Sequence, residues 1–487
     1  MNISRIIGTV FAMGGLLTAS AVVTVYPAGK DIPLSEAYSV SVRQAGSDKW
    51  LPVDIYPVKL QHMRFENGKV SNSVEKASMC YFDFDGSVEV RVISNSLRVK
   101  SARVRPLSYG IAPAISGDTL TFSLDRPRNL SIEVNGDLFR NLHLFANPID
   151  THRPTPKQIR KDKNLMYFAP GVHKFPGDSL NIPSNTTVYV DGGALVQARL
   201  ITDGTHDVKF YGRGMIMPEP RGEGVYIKRA KNIEADGIIV TQIPVGGSDS
   251  VTVTNVKSLS SYGWGDGMNV FASNNVTYRD CFCRNSDDCS TVYATRKGFR
   301  GGCDNILMEN STLWADVAHP IMIGLHGSAT EIGLDAPADT IQNVTYRNLD
   351  ILDHQEMQKD YQGVFGISCG DNNIVRDILF DNIRVEDFRR GQLINIRVVS
   401  NDKYCKAPGG GVHGVTFRDV CYNGNNASTS IIAGYDANRE VTGLTFENLT
   451  VNGMKITDKM PGKPGWYKPW DMCDIFVGEH VKHITFK

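Results

Sequence analysis

A short strand pattern that recurs along the second half of the chain restricts the fold more than any other feature. The unit is apolar–x–apolar–x–(Asn or Asp)–apolar–x–apolar, and a small polar residue precedes it. Copies begin near positions 250, 275, 305, 343, 377, 414, 443 and 483, so they are 25, 30, 38, 34, 37, 29 and 40 residues apart. A fixed strand with variable spacing predicts a solenoid whose loops differ in length.

The segments between these copies contain no well-formed amphipathic helix, so each coil of the solenoid is expected to consist of strands and turns. Residues 165–487 are therefore predicted to form a right-handed parallel β-helix, in which neighbouring coils stack at about 4.8 Å. The recurrent asparagine suits a tight bend within each coil, where its side chain can bond backbone groups.

Before the solenoid the chain changes to short alternating strands separated by turn signals, such as "SVEVRVIS" at 87–94 and "TLTFSL" at 119–124. This pattern predicts a β-sandwich over residues 22–150. The basic, proline-containing stretch "THRPTPKQIRKDKN" at 151–164 is predicted to be a linker. The expected fold class is all-β, with the sandwich ahead of the β-helix.

The N-terminus has the pattern of an export signal. Arg5 supplies a positive region, Ile6 to Leu17 form an apolar run, and an A-x-A-like site ends at Ala21. The run is shorter than a transmembrane helix requires. The alternative is a buried helix of the mature protein. Residues 1–21 are predicted to be a signal peptide, and the protein is expected to be secreted or periplasmic.

The charges are balanced, because Lys plus Arg and Asp plus Glu each number 52. This balance disfavours nucleic acid or an anionic membrane surface as the main partner. No stretch after the N-terminal signal is long and apolar enough to span a bilayer. We expect a monomer whose partner is an uncharged molecule.

Four of the nine cysteines, Cys281, Cys283, Cys289 and Cys303, lie close together in sequence. Their spacing differs from the C-x2-C…C-x2-C of structural zinc sites, and no histidine accompanies them. A buried ladder of thiols, or one or two disulfides, is the favoured interpretation. No metal or organic cofactor is implied anywhere in the chain.

Three carboxylates stand out within "GWGDGMNVFASNNVTYRDCFCRNSDDC": Asp266 and the pair Asp287–Asp288, which follow it by 21 and 22 residues. Residues about one coil apart lie beside each other on a β-helix, so these side chains are expected to share one groove. Neighbouring strand residues face opposite ways, and the pair can share the groove only if the chain bends there. The alternative is that all three are solvated turn residues.

Three carboxyl groups in one cleft repel each other, which raises the pKa of at least one and leaves another ionised. A protonated acid beside an ionised base is what hydrolysis of a glycosidic bond requires. A different class of function, a non-catalytic β-helix that only binds polysaccharide, has the same fold but does not depend on the aspartates.

The quoted stretch resembles the active-site region of the β-helical polygalacturonase superfamily of glycosidases. Those enzymes carry D-G-x-(D/N), then an N-V-T strand, then an Asp-Asp pair one coil later. The segment 167–216 also resembles their first coils, so the resemblance covers most of residues 165–487. Pectate lyases share the solenoid, but they need calcium-binding acids and a basic residue that is not found near "NSDDC".

Within this superfamily, polygalacturonases carry Gly-His-Gly on the coil after the aspartate pair and Arg-Ile-Lys on a later strand. Here His319 is followed by Pro320, and Phe365 to Ser368 stand where the basic pair would lie. The carboxylate of a polyuronide would then be left without a partner, at a real cost. This departure favours a neutral sugar, and a polygalacturonase-like pectin hydrolase is kept as the alternative.

The chain resembles most the dextranase and isopullulanase family, glycoside hydrolase family 49. That family places a β-sandwich ahead of the β-helix, acts on neutral α-glucans and keeps the three aspartates without the basic pair. The resemblance implies that Asp287 is the general acid and that Asp266 and Asp288 activate the attacking water. It also implies inversion, with the acid and base carboxyls roughly 6.5–9.5 Å apart.

Further residues are expected to bind substrate or to support the aspartates. Asn269 could orient Asp266, touch sugar or simply stand in a turn, and His319 could hydrogen-bond Asp287 or be a structural histidine. Trp264, in a glycine-rich loop, is the best candidate for an aromatic platform under a sugar ring. Weaker candidates for aromatic platforms are Tyr262, Tyr293 and Trp314. Arg397 and Tyr435 are candidates for substrate binding on later coils of the same groove.

Overall fold

The computed structural model describes residues 22–487, and the predicted signal peptide, residues 1–21, lies outside them. The described chain is almost entirely β, which confirms the predicted fold class. Two short α-helices interrupt it: α1 (Pro156–Lys161), within the segment predicted as a linker, and α2 (Ser328–Glu331). Single 3₁₀ turns span Leu107–Tyr109, Pro176–Asp178, Lys359–Tyr361 and Pro469–Met472.

The first eleven strands form two sheets that pack face to face around the side chains of Val40, Val90, Phe82 and Leu144. The sheets have the strand orders β1-β5-β11-β10-β7, with β4 beside β5, and β3-β2-β6-β9-β8. The strands are β1 (Val23–Val25), β2 (Tyr38–Gln44), β3 (Leu51–Val53), β4 (Tyr56–Glu66), β5 (Lys69–Phe84), β6 (Val88–Ser94), β7 (Ala102–Arg105), β8 (Ala114–Ser116), β9 (Thr119–Leu124), β10 (Arg128–Val134) and β11 (Leu142–Asn147).

The remaining strands wind into coils that stack by parallel pairing, apart from the antiparallel β42–β43 pair. They are β12 (Leu165–Phe168), β13 (Gly171–His173), β14 (Ser179–Asn181), β15 (Thr187–Val190), β16 (Ala194–Val196), β17 (Arg199–Asp203), β18 (His206–Gly212), β19 (Met215–Ile216), β20 (Val225–Lys228), β21 (Lys231–Asp236), β22 (Ile239–Val240), β23 (Val245–Gly246), β24 (Asp249–Thr254), β25 (Lys257–Leu259), β26 (Met268–Phe271), β27 (Asn274–Arg279), β28 (Phe282–Asn285), β29 (Ser290–Tyr293), β30 (Cys303–Glu309), β31 (Thr312–Ala315), β32 (Ile321–Gly324), β33 (Asp339–Asp353), β34 (Phe365–Cys369), β35 (Asn373–Glu386), β36 (Gly391–Gln392), β37 (Ile394–Val398), β38 (Gly411–Asn423), β39 (Ala427–Ser428), β40 (Ser430–Ala433), β41 (Val441–Glu447), β42 (Leu449–Val451), β43 (Met454–Ile456), β44 (Ile475–Val477) and β45 (Val481–Phe486).

The register of the coils follows the strand repeat seen in the sequence. Val251 pairs with Val276, and the same position continues through six further coils to Ile484. The steps between these residues are the 25, 30, 38, 34, 37, 29 and 40 residues of the repeat. Their apolar side chains fill one continuous core inside the coils, and that core fixes the register.

The recurrent asparagines occupy the left-handed backbone region at the bends, for example φ 52° at both Asn310 and Asn348. They were expected to bond backbone groups, but these side chains bond each other from coil to coil. Asn348 Nδ2 donates to Asn310 Oδ1 at 2.8 Å, and Asn382 Nδ2 donates to Asn348 Oδ1 at 3.3 Å. Stacked coils place identical bends directly above one another, so the next asparagine is the nearest partner.

The sandwich packs along one face of the β-helix, over strands β25, β28 and β31. Apolar contacts join Tyr56, Phe139 and Phe145 of the sandwich to Leu259 and Phe282 of the coils. Ion pairs cross the same interface in its buried interior: Arg213 Nε lies 2.9 Å from Asp83, and Arg105 Nε lies 2.7 Å from Glu386. The two parts are therefore joined by a packed and charged contact.

All nine cysteines lie in the described part of the chain as free thiols. Cys281, Cys283, Cys289 and Cys303 are buried in the β-helix core, so of the two interpretations the thiol ladder is the one present. Within residues 22–487 no helix has the length and apolar character to cross a bilayer.

Candidate active site

Three successive coils bring Asp266, Asp288 and His319 side by side. Strands β26, β29 and β32 pair in register, with Met268 opposite Ser290 and Ser290 opposite Ile321. Each of the three residues precedes its strand by two positions, so they occupy equivalent places. Backbone bonds continue the ladder into this region, from Gly267 N–H to Asp288 O and from Cys289 N–H to His319 O, both at 2.8 Å.

A bend between β28 and β29 lets both members of the Asp287–Asp288 pair reach the groove. Asn285 Nδ2 donates to the hydroxyls of Ser258 and Ser260 at 3.0 Å, and Ser260 Oγ accepts the Ser286 N–H at 3.1 Å. Across the bend, a Cβ at position 267 would collide with Asn285 and Cys289, so the Gly of Asp-Gly is needed for close approach.

Asp288 is held by three hydrogen-bond donors and is only 4% exposed. Tyr293 OH donates at 2.9 Å, His319 N–H at 3.1 Å and His319 Nδ1 at 2.7 Å. These three contacts fix the orientation of Asp288.

His319 lies against this carboxyl group. Its Nε2 lies 2.7 Å from the carbonyl oxygen of Tyr361, so in its protonated form both ring nitrogens donate, Nδ1 to Asp288 and Nε2 to Tyr361. Burial alone would lower the pKa of His319, but the charge and hydrogen bond of Asp288 outweigh it and raise that pKa above its usual value.

Asp287 is the other member of the aspartate pair. Burial raises its pKa well above the usual value, and the charges of Asp266 and Asp288 raise it further. Asp288 N–H donates to Asp287 Oδ1 at 3.0 Å, which offsets only part of this effect. Asp287 is therefore a neutral acid, as expected for a general acid.

Asp266 has an intermediate state. Burial and the charge of Asp288 raise its pKa to about 6, and a hydrogen bond from Asn269 Nδ2 at 2.6 Å opposes that rise. A carboxyl with this pKa gains and loses a proton near neutral pH, which suits a base that takes a proton from water.

The predicted substrate-binding residues Asn269, Tyr293 and His319 are buried behind the carboxylates and are at most 2% exposed. They position Asp266 and Asp288 and do not face the groove. His319 was expected to bond Asp287, but it bonds Asp288, because Asp288 is its neighbour in the coil register. Trp314 is also fully buried, under the Arg284 guanidinium at 3.9 Å, so it is not a platform for sugar.

Trp264 stands two residues before Asp266 and has 78% of its surface exposed. Gln242 Nε2 donates to its carbonyl oxygen at 3.0 Å and fixes the loop. Its φ of 59° is unusual for a large side chain and indicates a strained backbone that its surroundings hold in place. Tyr262, one of the weaker platform candidates, donates to the carbonyl oxygen of Gly222 at 2.7 Å and is half-buried.

No protein-family model matches the chain, and no curated protein matches it either. Among solved structures, it is similar to Dex49A from Penicillium minioluteum, with a TM-score of 0.61, 14% identity and coverage of 95% of this chain and 96% of that one. It is also similar to the Family 28 exopolygalacturonase of Yersinia enterocolitica, with a TM-score of 0.42, 12% identity and coverage of 82% and 96%. At 14% identity the first likeness bears on the fold alone, and it confirms the fold that the resemblance implied.

Arg397 and Tyr435 lie on later coils of the sheet that contains β26 and β29. Arg397 pairs with Ser368 and is three coils from Asp288, about 14 Å along the axis at the usual spacing. Its Nη2 donates to the Asp360 carbonyl at 2.9 Å. Tyr435 is one coil further on and is exposed. Both residues are placed to meet only a ligand several sugar units long.

Two parts of the site carried no signal in the sequence. Glu356 is a fourth buried acid; its charge acts on both Asp287 and His319, and burial raises its own pKa. It lies in an irregular loop between β33 and β34, where no repeat applies. The sandwich also reaches this loop, because Gln355 Nε2 donates to the carbonyl oxygen of Met63 at 2.7 Å. Among the described residues, no group of three or more His, Cys, Asp or Glu could hold a metal ion.

Proposed function

We propose that the protein is a secreted, inverting glycoside hydrolase that cleaves α-glucosidic bonds in a neutral glucan such as dextran or pullulan. The observation that carries this proposal is the group of three carboxyls, Asp266, Asp287 and Asp288, at one place on neighbouring coils. His319 and Tyr293 orient Asp288, whereas burial and neighbouring charge keep the pKa of Asp287 high. An acid beside a base in one groove is the arrangement that glycoside hydrolysis uses.

In this mechanism Asp287 donates its proton to the glycosidic oxygen as the bond from the anomeric carbon to that oxygen breaks. Asp288 and Asp266 hold a water on the opposite face of the sugar. The water oxygen bonds to the anomeric carbon, and its proton passes to Asp266, whose pKa of about 6 allows it to act as base. Proton exchange with solvent then restores both groups for the next cycle.

The groove floor supports a neutral sugar. Where polygalacturonases carry Arg-Ile-Lys, strand β34 has Phe365 and Ile367 buried in the core and Gly366 and Ser368 on the outer face. A Cβ at position 366 would lie 2.8 Å from the end of the Met322 side chain and 3.1 Å from the Ile321 carbonyl oxygen, so a larger residue there requires its neighbours to shift. An uncharged ring stacked on Trp264 is consistent with this surface.

Secretion rests on the N-terminal pattern over residues 1–21. The choice of an α-glucan rests on the resemblance to the dextranase and isopullulanase family, and the fold likeness to Dex49A is consistent with it.

A polygalacturonase-like pectin hydrolase is the second candidate, and one observation favours it. Arg296 and Lys297, in the turn after β29, are cations whose charges lower the pKa of Asp266. Among the described residues neither has a carboxylate within 4.0 Å of its side-chain nitrogens. They could meet the carboxylate of a uronide from a different coil than the one used by polygalacturonases.

A reducing-end assay on dextran, pullulan and polygalacturonate in parallel tests these alternatives. We expect activity on dextran or pullulan that is lost in Asp287→Asn and kept in Asp125→Asn, a matched change on the exposed surface of the sandwich. Activity on polygalacturonate alone, lost in Lys297→Ala, would establish the second candidate. Sugar binding without release of reducing ends from any of the three would identify a non-catalytic binder.

A further inference from the structure

A cavity separate from the aspartates lies on the opposite border of the sandwich. It has a volume of about 750 Å³, in the range of small-molecule sites. The aspartates occupy the bend after β28, whereas this cavity runs along the bend before β28, where Asp280 stands. The sandwich covers the strand between the two bends, so the cavity, named here the interdomain trough, shares no residue with the active site.

The floor of the trough is periodic. Asn255, Asp280, Asn310 and Asn348 occupy one position on four successive coils, and backbone bonds of 2.8–3.1 Å join each to the coil that follows. Their side chains therefore repeat at about 4.8 Å over roughly 14 Å. Such a row presents amide and carboxyl groups to a ligand that is itself a repeating chain.

The opposite wall comes from the sandwich. It includes Tyr109, Arg126, Arg128 and Asn129. The Arg128 guanidinium lies 4.1 Å from the centre of the Tyr109 ring and, among the described residues, has no carboxylate within 4.0 Å. At the base, Asn129 Nδ2 donates to Asp280 O at 3.2 Å and closes the trough against the coils.

The Arg128 guanidinium is the donor that the trough offers to a ligand, because among the described residues it has no carboxylate partner. The amides of the floor are partly engaged already. Asn348 Nδ2 donates to Asn310 Oδ1 at 2.8 Å, and Asn255 Oδ1 accepts from the buried Lys257 Nζ at 2.6 Å.

The charge of the lining identifies the kind of ligand. Three aspartates, Asp236, Asp280 and Asp350, face three arginines, and no lysine is present. Asp350 is paired with Arg384 at 2.7 Å, so the lining does not favour an anion or a cation. A balanced surface rich in amides and guanidinium groups suits an uncharged molecule with many hydroxyls.

We propose that the interdomain trough is a second carbohydrate-binding site, which takes a neutral oligosaccharide segment of about three or four units along the asparagine row. That this oligosaccharide segment belongs to the polymer cut at the aspartates rests on the proposed function. It holds the polymer while the groove on the other border of the sandwich acts on a neighbouring stretch.

Titration calorimetry of the Asp287→Asn protein with maltoheptaose and isomaltoheptaose tests the proposal. We expect two molecules bound per chain. Arg128→Ala and Asn310→Gly should each weaken one of them about fivefold, the effect of one lost hydrogen bond, and Trp264→Ala should weaken only the other. Glycine keeps the left-handed backbone, φ 52°, at position 310.

Asn448→Gly is the matched control, because Asn448 has the same backbone geometry, φ 59°, on the same row but outside the trough. The trough proposal would be overturned if neither sugar binds, or if Arg128→Ala and Asn310→Gly both leave the binding isotherm unchanged. Hydrolysis by the wild-type protein is measured separately. Binding that depends on Arg128 without any hydrolysis would keep the trough and refute the proposed function.

Discussion

At the scale of single residues, burial and neighbouring charges set the acidity of Asp266 and Asp287, and hydrogen bonds modify it. Burial and the surrounding carboxylates raise both pKa values, whereas one donor to each, Asn269 Nδ2 to Asp266 and the Asp288 N–H to Asp287, opposes the rise. A donor opposes it because it stabilises the ionised form of a carboxyl group.

These states predict a bell-shaped pH dependence of kcat/KM. Asp266 must be ionised to accept a proton, so activity should rise as the pH passes through about 6 and fall where Asp287 loses its proton. Because the Asn269 hydrogen bond lowers the pKa of Asp266, Asn269→Ala should shift the rising limb to higher pH. Rates from pH 4 to 9 measure this shift, and a rising limb that does not move would contradict the role of Asp266.

His319 predicts an effect on stability as well as on rate. In His319→Asn the buried Asp288 loses its counter-charge, so the free energy of unfolding should fall by about 3 kcal/mol. The pKa of His319 is higher in the folded than in the unfolded protein. The extra stability of the wild-type protein over His319→Asn is therefore complete below the unfolded-state pKa and is lost as the pH rises through the folded-state pKa. Urea unfolding at pH 5.5 and pH 9 measures both values, and an advantage that grows with pH would contradict the ion pair.

Trp264 predicts a loss confined to binding. Its side chain is 78% exposed, so Trp264→Ala should leave the melting temperature nearly unchanged while it raises KM about tenfold. Steady-state kinetics on a short oligosaccharide separate KM from kcat. Trp466→Ala, an exposed tryptophan in the C-terminal loop, is the control that should change neither.

The sequence predicted the positions of the three aspartates because a solenoid converts sequence period into spatial neighbourhood. It placed His319 beside Asp287, whereas His319 bonds Asp288, since the choice depends on one residue of backbone bend between β28 and β29. Of the roles suggested for Asn269, the structure has the one that orients Asp266. Tyr293 and Trp314 were suggested as platforms by residue type, and residue type does not reveal burial.

At the scale of elements, the position of the long hairpin of β4 and β5 could not be predicted from the sequence. Its alternating strand pattern assigns the hairpin to the sandwich, yet its outer edge contacts residues near the candidate active site. Met63 O accepts a hydrogen bond from Gln355, and the Arg390 guanidinium lies 4.7 Å from the centre of the Phe65 ring. The contact joins residues 292 apart in sequence. No local pattern encodes a pairing between a hairpin edge and one irregular loop.

This contact predicts a coupled loosening of hairpin and loop. Gln355→Ala removes the hydrogen bond to Met63 and should cost about 1 kcal/mol. It should also speed amide hydrogen exchange over residues 61–66 and over the loop that contains Glu356. Exchange followed by mass spectrometry locates the effect. Faster exchange in the hairpin alone would show that the two elements do not support each other.

At the scale of the whole molecule, the sandwich and the β-helix form one packed body. Arg213 bonds Asp83 at 2.9 and 3.1 Å, Tyr26 OH donates to the same carboxylate at 2.7 Å, and Arg284 of the coils donates to the carbonyl oxygen of Leu138 in the sandwich at 2.8 Å. Buried charges of this kind tolerate no separation of the parts, because each would lose its partner in a poorly solvated place. The groove and the trough thereby keep fixed positions on the two borders of the sandwich.

The interface therefore predicts that sandwich and β-helix unfold together. Asp83→Asn removes the nearer of the two carboxylates that pair with buried Arg213, leaving Asp236 at 3.6 Å, and should lower the free energy of unfolding by about 3 kcal/mol. Glu89→Gln breaks the half-exposed Arg43–Glu89 pair of the same sandwich and should cost about 1 kcal/mol or less. Calorimetry should show one transition in all three proteins, at a lower temperature in Asp83→Asn. Separate transitions in the wild-type protein, or equal losses in the two variants, would mean that the interface does not bind the two parts into one cooperative unit.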